Sequence, residues 1–300
     1  MTSLFATVRP HLLLALSLSL FGVPRPSWAQ MQPTAPFVTH SLKPNVYWVE
    51  GGGGNSGVIV GANEVVVVDA KTTPAGGKEL LDAIAKITPK PVTAVILTHS
   101  DGDHVNGLAA FPSGLKIIAQ ENNKKEQEAA LAKGGRGVPP ADHQPNQVIA
   151  GNKESLTLGG VHFELYHWGP AHTSGDLVVL LPAEKIVFTG DIIAANRPEP
   201  LIHREKNGSS EGWIQTAKGV AALDADVFIP GHGAPQTKPE INDRITKAEA
   251  KRAKILDLIS QGKSLDEIKA AVGDPTGAPS GSGPSFPTFT DVVYQESAKK

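Results

Sequence analysis

Seven residues set the terms for this chain: Thr98-His99-Ser100-Asp101-Gly102-Asp103-His104. Four potential metal ligands, His99, Asp101, Asp103 and His104, fall at i, i+2, i+4 and i+5. They follow Val95-Ile96-Leu97, an apolar run that reads as a buried strand. Chain leaving such a strand into a glycine-containing loop can turn several side chains toward one point. Imidazoles and carboxylates packed this densely repel one another or cost desolvation unless a cation collects them. The competing reading is a solvated acidic loop with two incidental histidines. The chain has no cysteine. Thiolate ligands, thiolate catalysis and disulfides are therefore excluded, and any metal is held by His, Asp or Glu.

The N-terminus reads as an export signal. Arg9 supplies a positive start, Leu12 to Phe21 an apolar core too short to span a bilayer, and Ser27-Trp28-Ala29 a cleavage site before Gln30. Residues 1–29 are expected to be a signal peptide, with an uncleaved anchor as the alternative. The protein is expected to be periplasmic or secreted, with no stable membrane anchor after cleavage. Residues 30–45 read as an N-terminal lead-in, flexible at least from Gln30 to Pro36. A net charge of −2 leaves no electrostatic footprint for a nucleic-acid partner.

Further along, Val46 to Val49, Gly57 to Val60 and Glu64 to Asp69 read as strands, the last two joined by Gly61-Ala62-Asn63 as a hairpin. Val65 to Val68 is apolar without alternation, so it should be buried on both faces. Gly51 to Gly54 lacks the context or the lysine of a phosphate-binding loop. Leu80, Leu81, Ile84 and Ile87 form one helical stripe, ended by Pro89 and Pro91. Val92 to Leu97 is the strand that delivers the opening stretch. Val105 to Phe111 reads as a helix or turn, Leu115 to Ala119 as a strand, Asn122 to Ala132 as a polar helix, and Lys133 to Gln147 as a loop. Strands are expected at Glu154 to Leu158, Val161 to Tyr166, Asp176 to Leu181, Lys185 to Thr189 and Val227 to Ile229. Helices are expected at Trp213 to Leu223, along the Ile241-Ile245-Ala248-Ile255-Ile259 face, and at Leu265 to Val272. Residues 46–272 read as one domain and 273–300 as a tail, Pro/Gly/Ser-rich and mobile over Asp274 to Pro287, that can end in a short helix. This order suggests an α/β sandwich with helices outside two sheets.

Metal candidates recur at the ends of four of these strands: the opening set, then His172, Asp191 and His232, each beside a glycine or in a Gly/Pro loop. His162 and His167 read as structural or surface residues. His143 and His203 sit in long loops that can cover the site, and His203 is a candidate substrate contact. Trp168 and Trp213 read as core or pocket wall.

With Asp69, His99-x-Asp101-x-Asp103-His104, Gly169-Pro170-Ala171-His172-Thr173, Thr189-Gly190-Asp191 and Gly231-His232 in this order and at these spacings, the chain resembles the metallo-β-lactamase superfamily from about Val46 to about Gly233. The resemblance implies an αβ/βα four-layer sandwich, two mixed sheets flanked by helices, with a dinuclear metal centre at the sheet edges. Carried over by position, His99, Asp101 and His172 would hold one ion and Asp103, His104 and His232 the other. Asp191 would bridge them, and Asp69 would support from behind. Two divalent ions are implied, zinc first, with iron or manganese as alternatives. The implied chemistry is attack by a metal-activated water on a small-molecule ester, lactone, lactam, thioester, sulfate ester or phosphoester. Asp103 would help orient that nucleophile.

One position departs from the family pattern, His-x-His-x-Asp-His: the second histidine is Asp101 here. Asp101 either ligates or stands by while another group or water takes its place. As a ligand it makes the centre less positive by one charge, which shifts preference toward iron or manganese and should acidify the bound water less. A β-lactamase, a non-haem iron oxidoreductase acting on sulfur compounds or dioxygen, and a non-catalytic metal-binding protein are the rival functions. Oligomeric state has no signature in the sequence.

Overall fold

The structure is a computed structural model that describes residues 37–135, 137–274 and 286–298. The expected signal peptide and most of the Pro/Gly/Ser-rich stretch before Pro287 lie outside the described residues.

The first sheet takes its strands in chain order, β1 (Val38–Lys43), β2 (Val46–Glu50), β3 (Ser56–Val60), β4 (Val65–Val68), β5 (Val92–Ile96), β6 (Lys116–Gln120) and β7 (Gln147–Ile149). β1 to β4 pair antiparallel, and β4 to β7 pair parallel through crossovers that contain α1 (Pro74–Ile87), α2 (Gly102–Val105) and α3 (Glu121–Ala132). The second sheet has the order β12-β11-β10-β9-β8, from β8 (Lys153–Leu158), β9 (Val161–Tyr166), β10 (Val178–Leu181), β11 (Ile186–Ala194) and β12 (Val227–His232). Its helices are α4 (Ser210–Ala222), α5 (Lys238–Ser260), α6 (Leu265–Val272) and α7 (Phe289–Ser297). Two mixed sheets flanked by helices form the expected αβ/βα sandwich.

Unbroken apolar strands follow from this layering, because a strand covered on both faces has no polar side to show. In β4, Val65 and Val67 join Leu80 and Ile84 of α1 in the outer cluster, while Val66 and Val68 join Phe163, Leu165 and Val179 between the sheets. In β10, Val178 and Leu180 pack with Trp213 and Ile245 outside, and Val179 and Leu181 face inward. Helix α1 starts where Thr73 Oγ1 accepts from Gly76 N at 3.0 Å, with Pro74 in its first turn. The i, i+4 pair Leu80 and Ile84 is the face it buries.

The structure revises several sequence boundaries. The described part of the 30–45 lead-in carries β1, an edge strand with mostly exposed residues whose pairing comes from β2. The loop drawn from Lys133 to Gln147 contains a short 3-10 turn at Ala141–His143 and leads into β7. Strand β11 runs past Asp191 to Ala194, with its register to β12 shifting around Gly190. The stretch drawn as a tail after residue 272 ends in α7. Thr288 and Asp291 form its capping box, and Phe289, Val292 and Val293 sit in the same cluster as α4, α5 and α6. Among the described residues, α5, α6 and α7 therefore pack with α4 as one helical layer on the second sheet.

Candidate metal centre

All the singled-out ligands leave the sheets at one end, where the parallel strands finish. Asp69 follows β4 and His99 follows β5. The single turn α2 then presents Asp103 and His104, and Ala70 N donates to His104 O at 2.6 Å. His172 lies between β9 and β10, Asp191 lies within β11, and His232 ends β12. A Cβ at Gly231 would overlap Asp191 Oδ1, so glycine in β12 is what admits that carboxylate beside its parallel neighbour.

The side chains converge as two trios around one shared acid. Donor atoms of His99, His172 and Asp191 lie within 4.8 Å of one another, as do those of Asp103, His104 and His232. Asp191 turns one oxygen to each group. Its Oδ1 is 3.3 Å from His104 Nε2 and 3.5 Å from His232 Nε2, and its Oδ2 is 4.0 Å from His172 Nε2. Asp103 Oδ2 is 3.0 Å from His232 Nε2 and 3.8 Å from His104 Nε2. Asp101 Oδ2 is 3.0 Å from His172 Nε2 and 3.8 Å from His99 Nε2.

Hydrogen bonds behind the rings settle which nitrogens face the centre. His172 Nδ1 is 2.9 Å from Leu201 O, which can only accept, so Nδ1 carries the proton. Thr98 Oγ1 donates to Asp69 Oδ2 at 2.6 Å and so accepts from His99 Nδ1 at 3.0 Å. His104 Nδ1 donates to Asp69 Oδ2 at 2.8 Å, and Asp69 Oδ1 accepts from Thr98 N at 2.8 Å. Asp69 is thereby the buried anchor for two rings, His104 directly and His99 through Thr98. When neutral, each of the three rings presents an Nε2 lone pair to the cluster, the tautomer a metal ligand needs.

The residues fit a divalent ion. His99 Nε2 and Asp191 Oδ1 are buried without a hydrogen-bond partner, although each lies beside further donor atoms. Burial, reinforced by His104 and His172, pushes the His99 imidazole well below its ordinary value, so it stays neutral. At His104 burial works the same way but is outweighed by Asp103, Asp191 and Asp69, which raise it well above. Burial also opposes the charge on His172, but Asp101 lifts that ring to about 9. The negative field that holds protons on these rings is the field that would hold metal ions in their place. Against a burial effect that would raise it, His104 and His232 bring Asp103 down to about 2.

An open cleft of about 1140 Å³ lies over the cluster. Its walls include Leu201, Arg197 and His203 from the loop after β11, and Phe286, Asp291 and Gln295 from the C-terminal segment. His203 lines the cleft, and its Nδ1 also lies 2.9 Å from Asp101 Oδ1. His143 does not reach it: the ring is buried against Phe111 O at 2.9 Å. His167 Nδ1 donates to Asp176 O at 2.8 Å, His162 is exposed on β9, and Trp213 is core, its Nε1 donating to Ile192 O at 2.7 Å. Trp168 stacks on Tyr166 with centroids 5.0 Å apart.

Sequence reasoning passed over Lys71, Lys206 and the wall formed by Phe286 and α7. Lys71 is fully buried, and its Nζ donates to Val49 O at 2.6 Å and Gly54 O at 2.8 Å, tying down the glycine loop whose Gly54 N donates to Asp103 O at 3.1 Å. Burial pushes Lys71 down to about 7, against the opposing pull of Asp69 and Glu50. An unfolded lysine keeps its proton to about pH 10.4. Between these limits the unfolded chain holds a proton that the folded chain does not, so Lys71 makes stability rise with pH from about 7 to about 10 and adds no slope below 7. Urea midpoints at pH 7 and at the alkaline end should show this rise in the wild type and lose it in Lys71→Met. Equal slopes in both would remove Lys71 as its source.

The sequence model of the metallo-beta-lactamase superfamily matches residues 49–232. The 2,4-dinitroanisole O-demethylase subunit alpha of Nocardioides sp. (strain JS1661) is 25% identical over 248 residues, 82% of this chain and 71% of that protein. A type 2 metallo-beta-lactamase of Elizabethkingia meningoseptica is 30% identical over 148 residues, 49% of this chain and 55% of its own. The solved structure of an inverting sec-alkylsulfatase from Pseudomonas sp. shares the fold, with a TM-score of 0.68 and 20% identity over 86% of this chain. The chain spans about half the length of that sulfatase, 47%.

Proposed function

The chain belongs to the metallo-beta-lactamase superfamily, and from that premise we propose that it is an exported hydrolase that works with two divalent ions, zinc first among them, on a small-molecule ester-type substrate. The observation that carries the reading is Asp191, buried with Oδ1 unpartnered and turned to His104 and His232 and with Oδ2 turned to His172. In this reading His99, Asp101 and His172 hold one ion, Asp103, His104 and His232 the other, and Asp191 both. Two such ions, when bound, supply Lewis acidity and an acidified water. The chain's own part is to fix the ligands and keep them in the right protonation state. Asp69 and Leu201 O hold three rings with Nε2 inward, and Asp103, ionised and 36% exposed at the cleft, would accept a hydrogen bond from an incoming water.

A cleft of about 1140 Å³ suits a small molecule. Leu201 and Phe286 offer it apolar contact, and Arg197 a cationic one for an anionic group. The substrate panel that follows comprises alkyl sulfates, phosphoesters, lactones, thioesters, β-lactams and nitroaryl methyl ethers. Among the described residues no helix is long and apolar enough to cross a membrane. Export itself is read from the N-terminal residue of the mature protein, expected at Gln30.

Elemental analysis of the purified protein tests the proposal. About two zinc ions per chain are expected, with hydrolysis abolished by a chelator and restored by zinc. One ion or none would end the dinuclear reading. Iron together with thiol-dependent oxygen consumption would replace it with an oxidoreductase.

A further inference from the structure

Resting on the dinuclear reading, we propose that Lys206 is a positioning residue for the first ion: it holds Asp101 as a one-oxygen ligand and offsets its charge, so that the Asp101–Lys206 pair stands in for a neutral imidazole. Lys206 lies 105 residues from Asp101 in sequence and reaches it from the short turn Arg204–Lys206. Its Nζ donates to Asp101 Oδ1 at 2.7 Å, Ser100 O at 2.8 Å and Ser100 Oγ at 2.8 Å. These three acceptors use all three protons of an ammonium and fix its direction.

The backbone beneath it is clamped as well. Ser174 N donates to Lys206 O at 2.8 Å, Lys206 N to His203 O at 3.0 Å, and His203 N to His172 O at 2.8 Å. The turn is thus fastened to the loop that carries His172. Ser100 Oγ donates in turn to Glu126, which also accepts from Ser174 Oγ at 2.9 Å.

The consequence falls on the two oxygens of Asp101. Oδ1 is taken by Lys206 at 2.7 Å and lies 2.9 Å from His203 Nδ1, which is also 3.2 Å from Oδ2, and Oδ2 is the oxygen turned to His172 and His99. A carboxylate held this way cannot rotate to chelate with both oxygens. The ammonium also corrects the charge expected from sequence. Asp101, Asp103 and Asp191 contribute three negative charges, and Lys206 returns one, the total that a histidine at position 101 would give with two acids. The preference for iron or manganese that an unbalanced Asp101 would bring is thereby removed.

Zinc titration of the full chain in competition with a chelator tests this without any activity assay. Lost positive charge alone would tighten cation binding. Weakened binding in Lys206→Met therefore reads lost orientation. Lys206→Met is expected to weaken the first ion by about tenfold or more and to leave the second in place, which also shows the variant folded. In the Asp101→His background the same change should leave the first ion's affinity within about twofold, because an imidazole needs no ammonium. Unchanged or tighter binding in Lys206→Met, or equal weakening in both backgrounds, would overturn the assignment. A wild type that takes fewer than two zinc ions would instead overturn the dinuclear reading beneath it.

Discussion

Replacing Asp191 with asparagine is expected to strip the protein of at least one of the two metal ions proposed for it and to lower turnover on the order of 100- to 1,000-fold or more. The side chain keeps its volume, so the fold should survive and the loss should be read at the centre. Burial by itself would raise the Asp191 carboxyl, but His104, His99 and His232 hold it well below the usual carboxylate range, so it is ionised. An amide removes that charge from both trios together. It also offers one oxygen where the carboxylate turned Oδ1 to His104 and His232 and Oδ2 to His172. Loss of a ligand that serves one trio only, such as Asp103, should leave the other ion in place. Elemental analysis beside kcat on the best substrate of the panel separates the cases. Two ions and near-normal kcat in Asp191→Asn would mean that the acid is a buried bystander.

What the sequence made legible was local or periodic. Val65 to Val68 and Val95 to Leu97 announced strands buried on both faces, because nothing polar interrupts them and the helices and second sheet cover both sides. The candidate ligands around α2 were legible because His99, Asp101, Asp103 and His104 sit within six residues, where one loop must gather them. The partners of those ligands were not. Lys206 and Phe286 are brought in by loops with no spacing to mark them. Strand β1 was missed because its inward face is only half-buried: Leu42 is its one apolar residue packed on the core, and Val38 is exposed. One signal was present and unused: a carboxylate in an imidazole's place, buried, asks for a cation, and the polar stretch from Asn196 to Gly212 contains Lys206. Lys71 carried no comparable mark: its partners are the backbone carbonyls of Val49 and Gly54, which no side-chain pattern announces.

Gly107→Ala is expected to be the most destabilising small substitution near the centre, by about 3 kcal/mol, the upper end of what overpacking costs. Backbone here meets backbone. A Cβ on Gly107 would overlap Ala70 O, and one on Gly77 of α1 would overlap Gly107 O. Gly107 N donates to Lys71 O at 2.9 Å and Ala70 N to His104 O at 2.6 Å, so the chain after β4 and the turn after α2 are stitched on both sides of the clash. No flexible side-chain end can give way. Neither glycine has a positive φ, so the cost is steric and not a matter of conformational preference. Relief requires α2 to move, and α2 carries Asp103 and His104. The second ion should therefore bind more weakly in the same variant whose melting temperature falls, by on the order of 5–10 °C for a chain of this size. Gly151→Ala, where the nearest atom to a new Cβ is Lys153 O at 3.8 Å, is the matched control and should melt as the wild type does. A Gly107→Ala protein that melts with its control would show that the 70–71 segment and the 104–107 turn are not locked together. The tie between fold stability and the position of His104 would then be lost.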